Sequence, residues 1–170
     1  MALLKKKVFV TVGTTKFHEL IETVLTSAVL EALSLKGYNE LILQIGKTSL
    51  APDCTPRCGF DTIEYFSIST NILEYVRKVD LIISHAGAGS ILDGLENKKH
   101  VIVVTNQSLM SNHQIELAEQ LHMDKYLYYC TCETLLNTIQ TMDFAQLKPF
   151  VNKKCKRIAE YINQIMGFSA

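Results

Sequence analysis

At 170 residues, with 48% hydrophobic and 20% charged residues, the chain has a globular composition and enough length to bury a core of its own. Seventeen Lys plus Arg balance seventeen Asp plus Glu, so no global field favours nucleic acid and any anion site must be local. No apolar run reaches the ~18–20 residues that span a bilayer. The opening MALLKKKVFVTVG sets its basic cluster behind the short apolar piece with no cleavage site after it, which argues against a secretory leader.

Along the chain, KKVFVTV (6–12) is a β-branched run ended by Gly13, and it reads as a strand. Residues 16–35 carry Phe17, Leu20, Ile21, Val24, Leu25, Ala28, Ala32 and Leu35 at helical spacing, with Gly37 behind them as a C-terminal glycine. LILQI (41–45) is a short buried strand ended by Gly46, and the Pro-containing stretch 47–60 is loop. TIEYF (62–66) alternates as a strand should. Ser69 or Thr70 is placed to cap a helix running to Lys78. DLIISH (80–85) is the next strand, followed by a helix from Gly89 to Glu96. VIVVT (101–105) is a strand, Ser111 to Leu121 a helix, YLYYC (126–130) a strand and Thr131 to Gln140 a helix. Pro149 opens a last helix to Met166, with Val151, Cys155, Ile158, Ile162 and Ile165 along one stripe.

Strands alternating with helices predict an α/β domain: a doubly wound, Rossmann-like parallel sheet covered on both faces, with 1–170 as one domain. Ligands of such sheets bind beyond the carboxyl ends of the strands. Two glycine turns fall there. Gly13, Thr14 and Thr15 follow the first strand, and His85, Gly87, Ala88, Gly89 and Ser90 follow the fourth. Glycine lets a ligand approach the backbone. The helix behind it offers unpaired N–H groups and a positive dipole end, which suits a phosphate. Neither turn is a G-x-G-x-x-G or P-loop fingerprint.

Asp93, one turn beyond Gly89, is placed to accept hydrogen bonds from ribose hydroxyls, or is an ordinary solvated acid. Asn112, His113 and Gln114 crowd the start of the next helix. They suit sugar hydroxyls, or are ordinary first-turn residues behind a Ser111 cap. His18, His100 and His122 read as surface or structural, and Glu96, Glu116 and Glu119 as solvated helix faces. The five cysteines, 54, 58, 130, 132 and 155, are odd in number and read as reduced cytosolic thiols; Cys130-Thr131-Cys132 lacks the spacing of a zinc pair, so no metal is expected.

VFVTVGTTKFHELI, GYNELILQIG, DLIISHAGAGSILDGLE and LMSNHQIELAEQL together resemble the catalytic subunits of the UDP-N-acetylglucosamine transferase of the dolichol pathway, over residues 7–132. The resemblance implies the donor-binding half of a B-type glycosyltransferase of family 28, similar to the donor half of the bacterial transferase that adds GlcNAc to lipid I. It implies UDP-GlcNAc as donor, dolichyl-diphosphate GlcNAc as acceptor, and inverting transfer without metal or cofactor. On this footing Gly13, Thr14, Thr15 and His85 through Ser90 would hold the diphosphate. Asp93 would stand where the family usually has a ribose-binding Glu, and Asn112, His113 and Gln114 would read the GlcNAc. Asn97-Lys98-Lys99-His100 departs from the family's usual Gly-Lys-Pro turn.

Inverting transfer also needs a base. His85 is a candidate by type but sits in the donor loop, so the base is expected from elsewhere. One half of a cleft and an acceptor in a membrane together imply a membrane-anchored partner subunit, recruiting this chain to the cytosolic face of the endoplasmic reticulum. The last helix (149–166) either docks that partner or covers its own sheet. A non-catalytic nucleotide-sugar-binding or regulatory subunit would show the same donor motifs.

Overall fold

The strands pair in parallel throughout, in a computed structural model that describes residues 4–106, 108–151 and 160. In chain order the elements are β1 (Lys6–Thr11), α1 (His18–Val24), α2 (Ser27–Leu35), β2 (Tyr38–Gln44), β3 (Thr62–Phe66) and α3 (Ile72–Lys78). β4 (Leu81–His85), α4 (Ala88–Glu96), β5 (His100–Thr105), α5 (Asn112–Met123), β6 (Tyr128–Thr131) and α6 (Leu135–Thr141) follow. The sheet order is β3-β2-β1-β4-β5-β6. The winding reverses between β1 and β4, which opens a crevice at their carboxyl ends.

Burial explains the strand patterns. β4 is buried at every position and β5 at all but its first, because central parallel strands are covered on both faces. The edge strand β3 exposes Thr62, Glu64 and Tyr65. One face packs Val8, Val10 and Ile83 against α1, α2 and α6; the other packs Phe9, Ile82, Val101 and Val103 against α3, α4 and α5. α4 lies especially close to the sheet. A methyl group at Gly94 would meet Val101 Cγ2 at 2.8 Å and Ile82 Cδ1 at 3.1 Å.

Several boundaries differ from the sequence reading. Residues 16–35 form two helices, because Thr26 leaves the helical conformation and caps α2, its hydroxyl accepting from the Val29 N–H at 3.4 Å. Both helices contribute to one core, but the buried stripe shifts at the break: α2 buries Val29, Leu30, Ala32 and Leu33, while Ala28 and Leu35 of the expected stripe are exposed, Leu35 at 89%. β2 begins at Tyr38 rather than Leu41. α3 is capped at Asn71; Ser69 instead accepts from the Asn71 N–H. α4 starts one residue early, at Ala88. β6 ends at Thr131, and α6 starts at Leu135 after a turn in which Thr134 Oγ1 accepts from the Thr131 N–H at 2.9 Å. Of the expected last helix only residues 149–151 and 160 are described, and Val151 is the one member of its stripe among them.

The Asn97–His100 departure has a structural consequence. Lys98 adopts φ +58°, a left-handed conformation that costs a side-chain-bearing residue roughly 1–2 kcal/mol. Lys98→Gly is therefore expected to stabilise the fold by about 1 kcal/mol, read as a higher denaturant midpoint at unchanged slope.

Candidate functional site

The two glycine turns meet across one imidazole. His85, the last residue of β4, is 8% exposed. A Cβ on Gly13 would stand 2.9 Å from its Cε1, and one on Gly87 would stand 2.5 Å from its Nε2. Both glycines are thus required by the ring they enclose. Gly13 also needs its φ of +61°, which side chains disfavour. Nδ1 of His85 is buried without a hydrogen-bond partner among the described residues.

The turns do not offer equal numbers of backbone donors. In the first, the Gly13 N–H donates to Thr11 Oγ1 at 3.0 Å and the Thr15 N–H to the Val12 carbonyl at 3.2 Å, leaving the Thr14 N–H. The Thr15 hydroxyl donates to the Val12 carbonyl at 2.7 Å, so its proton is not free for a phosphate oxygen. In the second turn the Gly87 N–H donates to the His85 carbonyl. α4 then begins with no side-chain cap, and Ala88, Gly89 and Ser90 keep their N–H groups unpaired among the described residues. Gly89 is exposed, and a Cβ there would meet no atom within 4 Å. Neither packing nor a positive φ calls for that glycine.

Asp93 sits one turn further along α4, in line with Gly89 and Ser90. Burial holds its carboxyl above the usual range, and its carboxylate has no partner among the described residues. It is thus an acceptor waiting for donors such as hydroxyls.

The third polar group arrives from α5. Ser111 and Gln114 form a capping box: Ser111 Oγ accepts from the Gln114 N–H at 3.4 Å, and Gln114 Oε1 accepts from the Ser111 N–H at 3.1 Å. The Gln114 carbonyl is therefore committed to the helix, which leaves its amide nitrogen for other use. Gln114 still reaches the site, lining a pocket of about 100 Å³ with Thr15, Lys16, Phe17, His85, Leu109 and Met110. Asn112 and His113 are exposed; His113 Nδ1 lies 3.6 Å from Glu116, and the Asn112 side chain has no partner among the described residues. Four buried polar residues at the strand ends, Thr11, Gln44, Ser84 and Thr105, were not singled out in the sequence. The signal was present for Thr11 and Gln44, each a lone polar residue in an apolar run two positions before a glycine; Ser84 and Thr105 merely end their apolar runs.

Elsewhere, burial raises the Cys130 thiol to about 12 and Cys132 to about 11, which keeps both protonated. Among the described residues no three metal-ligating side chains converge. His100 stacks on Phe144 at 3.9 Å and His122 Nδ1 contacts the Leu127 carbonyl at 3.2 Å, both structural settings. His18 is exposed beside Thr48.

Burial pushes His85 below the usual imidazole range, with the Thr11 carbonyl pulling weakly the other way. An unfolded histidine titrates near ~6.5. Above that pH neither state binds the proton. Below it the unfolded chain is protonated first, so stability falls until the native pKa is passed. His100, also lowered by burial, acts in the same sense, and Asp93 in the opposite one at lower pH. Denaturation midpoints are expected to fall from pH 7 to pH 5, and to fall less steeply in His85→Asn.

Residues 7–165 match the family model of the glycosyltransferase family 28 C-terminal domain. The chain belongs to that family. Among family 28 relatives, it is 48% identical over 130 residues to the Homo sapiens protein named UDP-N-acetylglucosamine transferase subunit ALG13, covering 76% of this chain and 11% of that protein. The Saccharomyces cerevisiae protein of the same name is 32% identical over a 179-residue alignment, covering 86% of this chain and 89% of that one. The chain spans 11% of the length of the human and mouse relatives.

A solution structure of ALG13 superposes with a TM-score of 0.68 at 28% identity, covering 91% of this chain and 94% of that one. MurG of Acinetobacter baumannii superposes with a TM-score of 0.63 at 18% identity, covering 86% of this chain and 44% of that one, a likeness of fold alone. The family 28 fold here is thus Rossmann-like and of the B type, as the sequence led one to expect.

Proposed function

We propose that this chain holds UDP-GlcNAc by its diphosphate at the start of α4. As the catalytic subunit of a two-subunit enzyme, it transfers GlcNAc to dolichyl-diphosphate GlcNAc, forming the β-1,4-linked chitobiosyl lipid of N-glycan assembly. The observation that carries the reading is the uncapped start of α4, with three unpaired N–H groups and an exposed, uncrowded Gly89 next to the turn that encloses His85. Family membership and relatives named as UDP-N-acetylglucosamine transferase subunits give it the donor and the reaction class.

On this reading the chemistry of the chain is to bind and stabilise charge. As the glycosidic bond to the donor breaks, negative charge grows on the departing UDP. The Ala88, Gly89 and Ser90 N–H groups, the Thr14 N–H and the α4 dipole meet it without reorganising. Neutral, buried His85 forms the floor between the two turns, and Asp93 accepts from the ribose. Asn112, His113 and the Gln114 amide face the sugar. Because His85 is enclosed by Gly13 and Gly87, the base that takes the acceptor's proton is assigned to a group outside this chain. Among the described residues no helix is long and apolar enough to cross a membrane, while the acceptor is a membrane lipid. A membrane-anchored partner subunit would complete the cleft and bring this chain to the cytosolic face of the endoplasmic reticulum.

Co-expression with a membrane-anchored partner, followed by a transfer assay on a lipid-diphosphate GlcNAc, tests the proposal. The pair is expected to turn over and the purified chain alone to transfer little. Robust transfer by the chain alone would refute the two-subunit reading, and a pair that binds UDP-GlcNAc yet transfers nothing would refute the reaction.

A further inference from the structure

Each glycine turn is tied down by a hydroxyl from a single rung of the sheet. Gln44, Thr11 and Ser84 are register partners across β2, β1 and β4, and they are 2%, 2% and 0% exposed. Burying polar side chains at adjacent positions is costly unless each is hydrogen-bonded. The bonds they make run to one another and to the turns. The Thr11 hydroxyl donates its only proton to Gln44 Oε1 at 2.6 Å, so its oxygen is left to accept, and it accepts the Gly13 N–H at 3.0 Å. The Ser84 hydroxyl donates to the His85 carbonyl at 2.8 Å, the same carbonyl that receives the Gly87 N–H at 2.8 Å.

We propose that the Gln44–Thr11–Ser84 rung is a positioning device that sets the spacing of the two glycine turns around His85, and so the fit of the diphosphate. Gln44 fixes which way the Thr11 hydroxyl points. Thr11 then withdraws the Gly13 N–H from the ligand and holds that turn against one side of the imidazole. Ser84 holds the Gly87 turn on the other side. Without the Thr11 oxygen the Gly13 N–H loses its partner and the turn is free to swing, which misplaces the Thr14 N–H. None of the three side chains needs to touch the ligand. The inference rests on the diphosphate reading of the site.

Titration of the ¹⁵N-labelled full chain with UDP tests it. In the wild type, UDP is expected to shift the amides of Thr14, Ala88, Gly89 and Ser90; their failure to move would overturn the diphosphate reading itself. With that in hand, Thr11→Val, of equal size, and Gln44→Met are each expected to keep a dispersed spectrum, shift the Gly13 amide, and weaken UDP at least fivefold. Thr11→Ser, which restores the hydroxyl, is expected to return affinity to within twofold of wild type. A purely structural role for Thr11 would lower stability without this pattern of loss and rescue. Folded Thr11→Val with wild-type affinity, or Thr11→Ser as weak as Thr11→Val, overturns the proposal. Should Thr11→Val not fold, Ser84→Ala removes one hydroxyl at small volume cost, and wild-type affinity in that variant overturns it equally.

Discussion

Gly87→Ala is expected to abolish donor binding in a chain that still folds. The new methyl would stand 2.5 Å from His85 Nε2 and 2.7 Å from Cε1, distances that real Cβ atoms do not show. Gly13 stands close on another side of the ring, where an added Cβ would lie 2.9 Å from Cε1, so the ring can yield only toward the pocket it lines. Either the imidazole leaves its slot, which removes the floor between the two turns, or the first turn of α4 lifts away, which displaces the free N–H groups. Overpacking of this kind costs about 1–3 kcal/mol of stability, or roughly 2–4 °C of melting temperature per kcal/mol in a chain of this size. Losing one preorganised donor to the departing diphosphate costs about 3–4 kcal/mol in the barrier, a rate loss of about 10²–10³. Gly87→Ala, assayed with the partner subunit present, should therefore transfer at least a hundredfold more slowly. The double variant with His85→Ala should recover much of the stability, because the two changes share one clash. An unchanged transfer rate would demote the chain to a bystander in the reaction.

Gly89→Ala should separate binding from folding. Nothing in the protein lies within 4 Å of the added methyl. Alanine favours a helix over glycine by about 1 kcal/mol, so the variant is expected to be as stable as the wild type or up to about 1 kcal/mol more stable. On the proposed diphosphate site, the methyl adds bulk at the middle of the three residues whose N–H groups are unpaired, where the anion would approach. UDP affinity should drop at least tenfold, or about 1.4 kcal/mol. Calorimetric titration beside a thermal melt reads both quantities. A stabilised variant that binds UDP normally would place the anion elsewhere.

The fold was legible where two signals coincided. Each strand that ends at the carboxyl edge is a β-branched or apolar run stopped by glycine or a polar turn, so VFVTVG and LIISHAG announced both the strands and the site beyond them. The α1–α2 break was not legible, because the apolar residues of 16–35 fit one unbroken helical period in sequence, although past Thr26 the buried set shifts to Val29, Leu30, Ala32 and Leu33 and leaves Ala28 and Leu35 exposed. For the same reason a capping threonine can hide inside a good helical period. At the site, glycines and first-turn amides could be named, but not which donors were already spent. Thr15 and Gln114 look identical in sequence whether their groups face a ligand or their own backbone; here the Thr15 proton and the Gln114 carbonyl are committed internally. Nor does one-dimensional reading align Gln44, Thr11 and Ser84, which become neighbours only through parallel pairing.

The tight seating of α4 at Gly94, with Val101 and Ile82 directly beneath it, leaves that helix no room to sink or roll when a ligand arrives. It is an anvil, not a jaw. On the proposed two-subunit reading, whatever closes over a bound nucleotide sugar would have to travel toward this rigid block from the solvent side, so any gating motion would belong to the partner that approaches it.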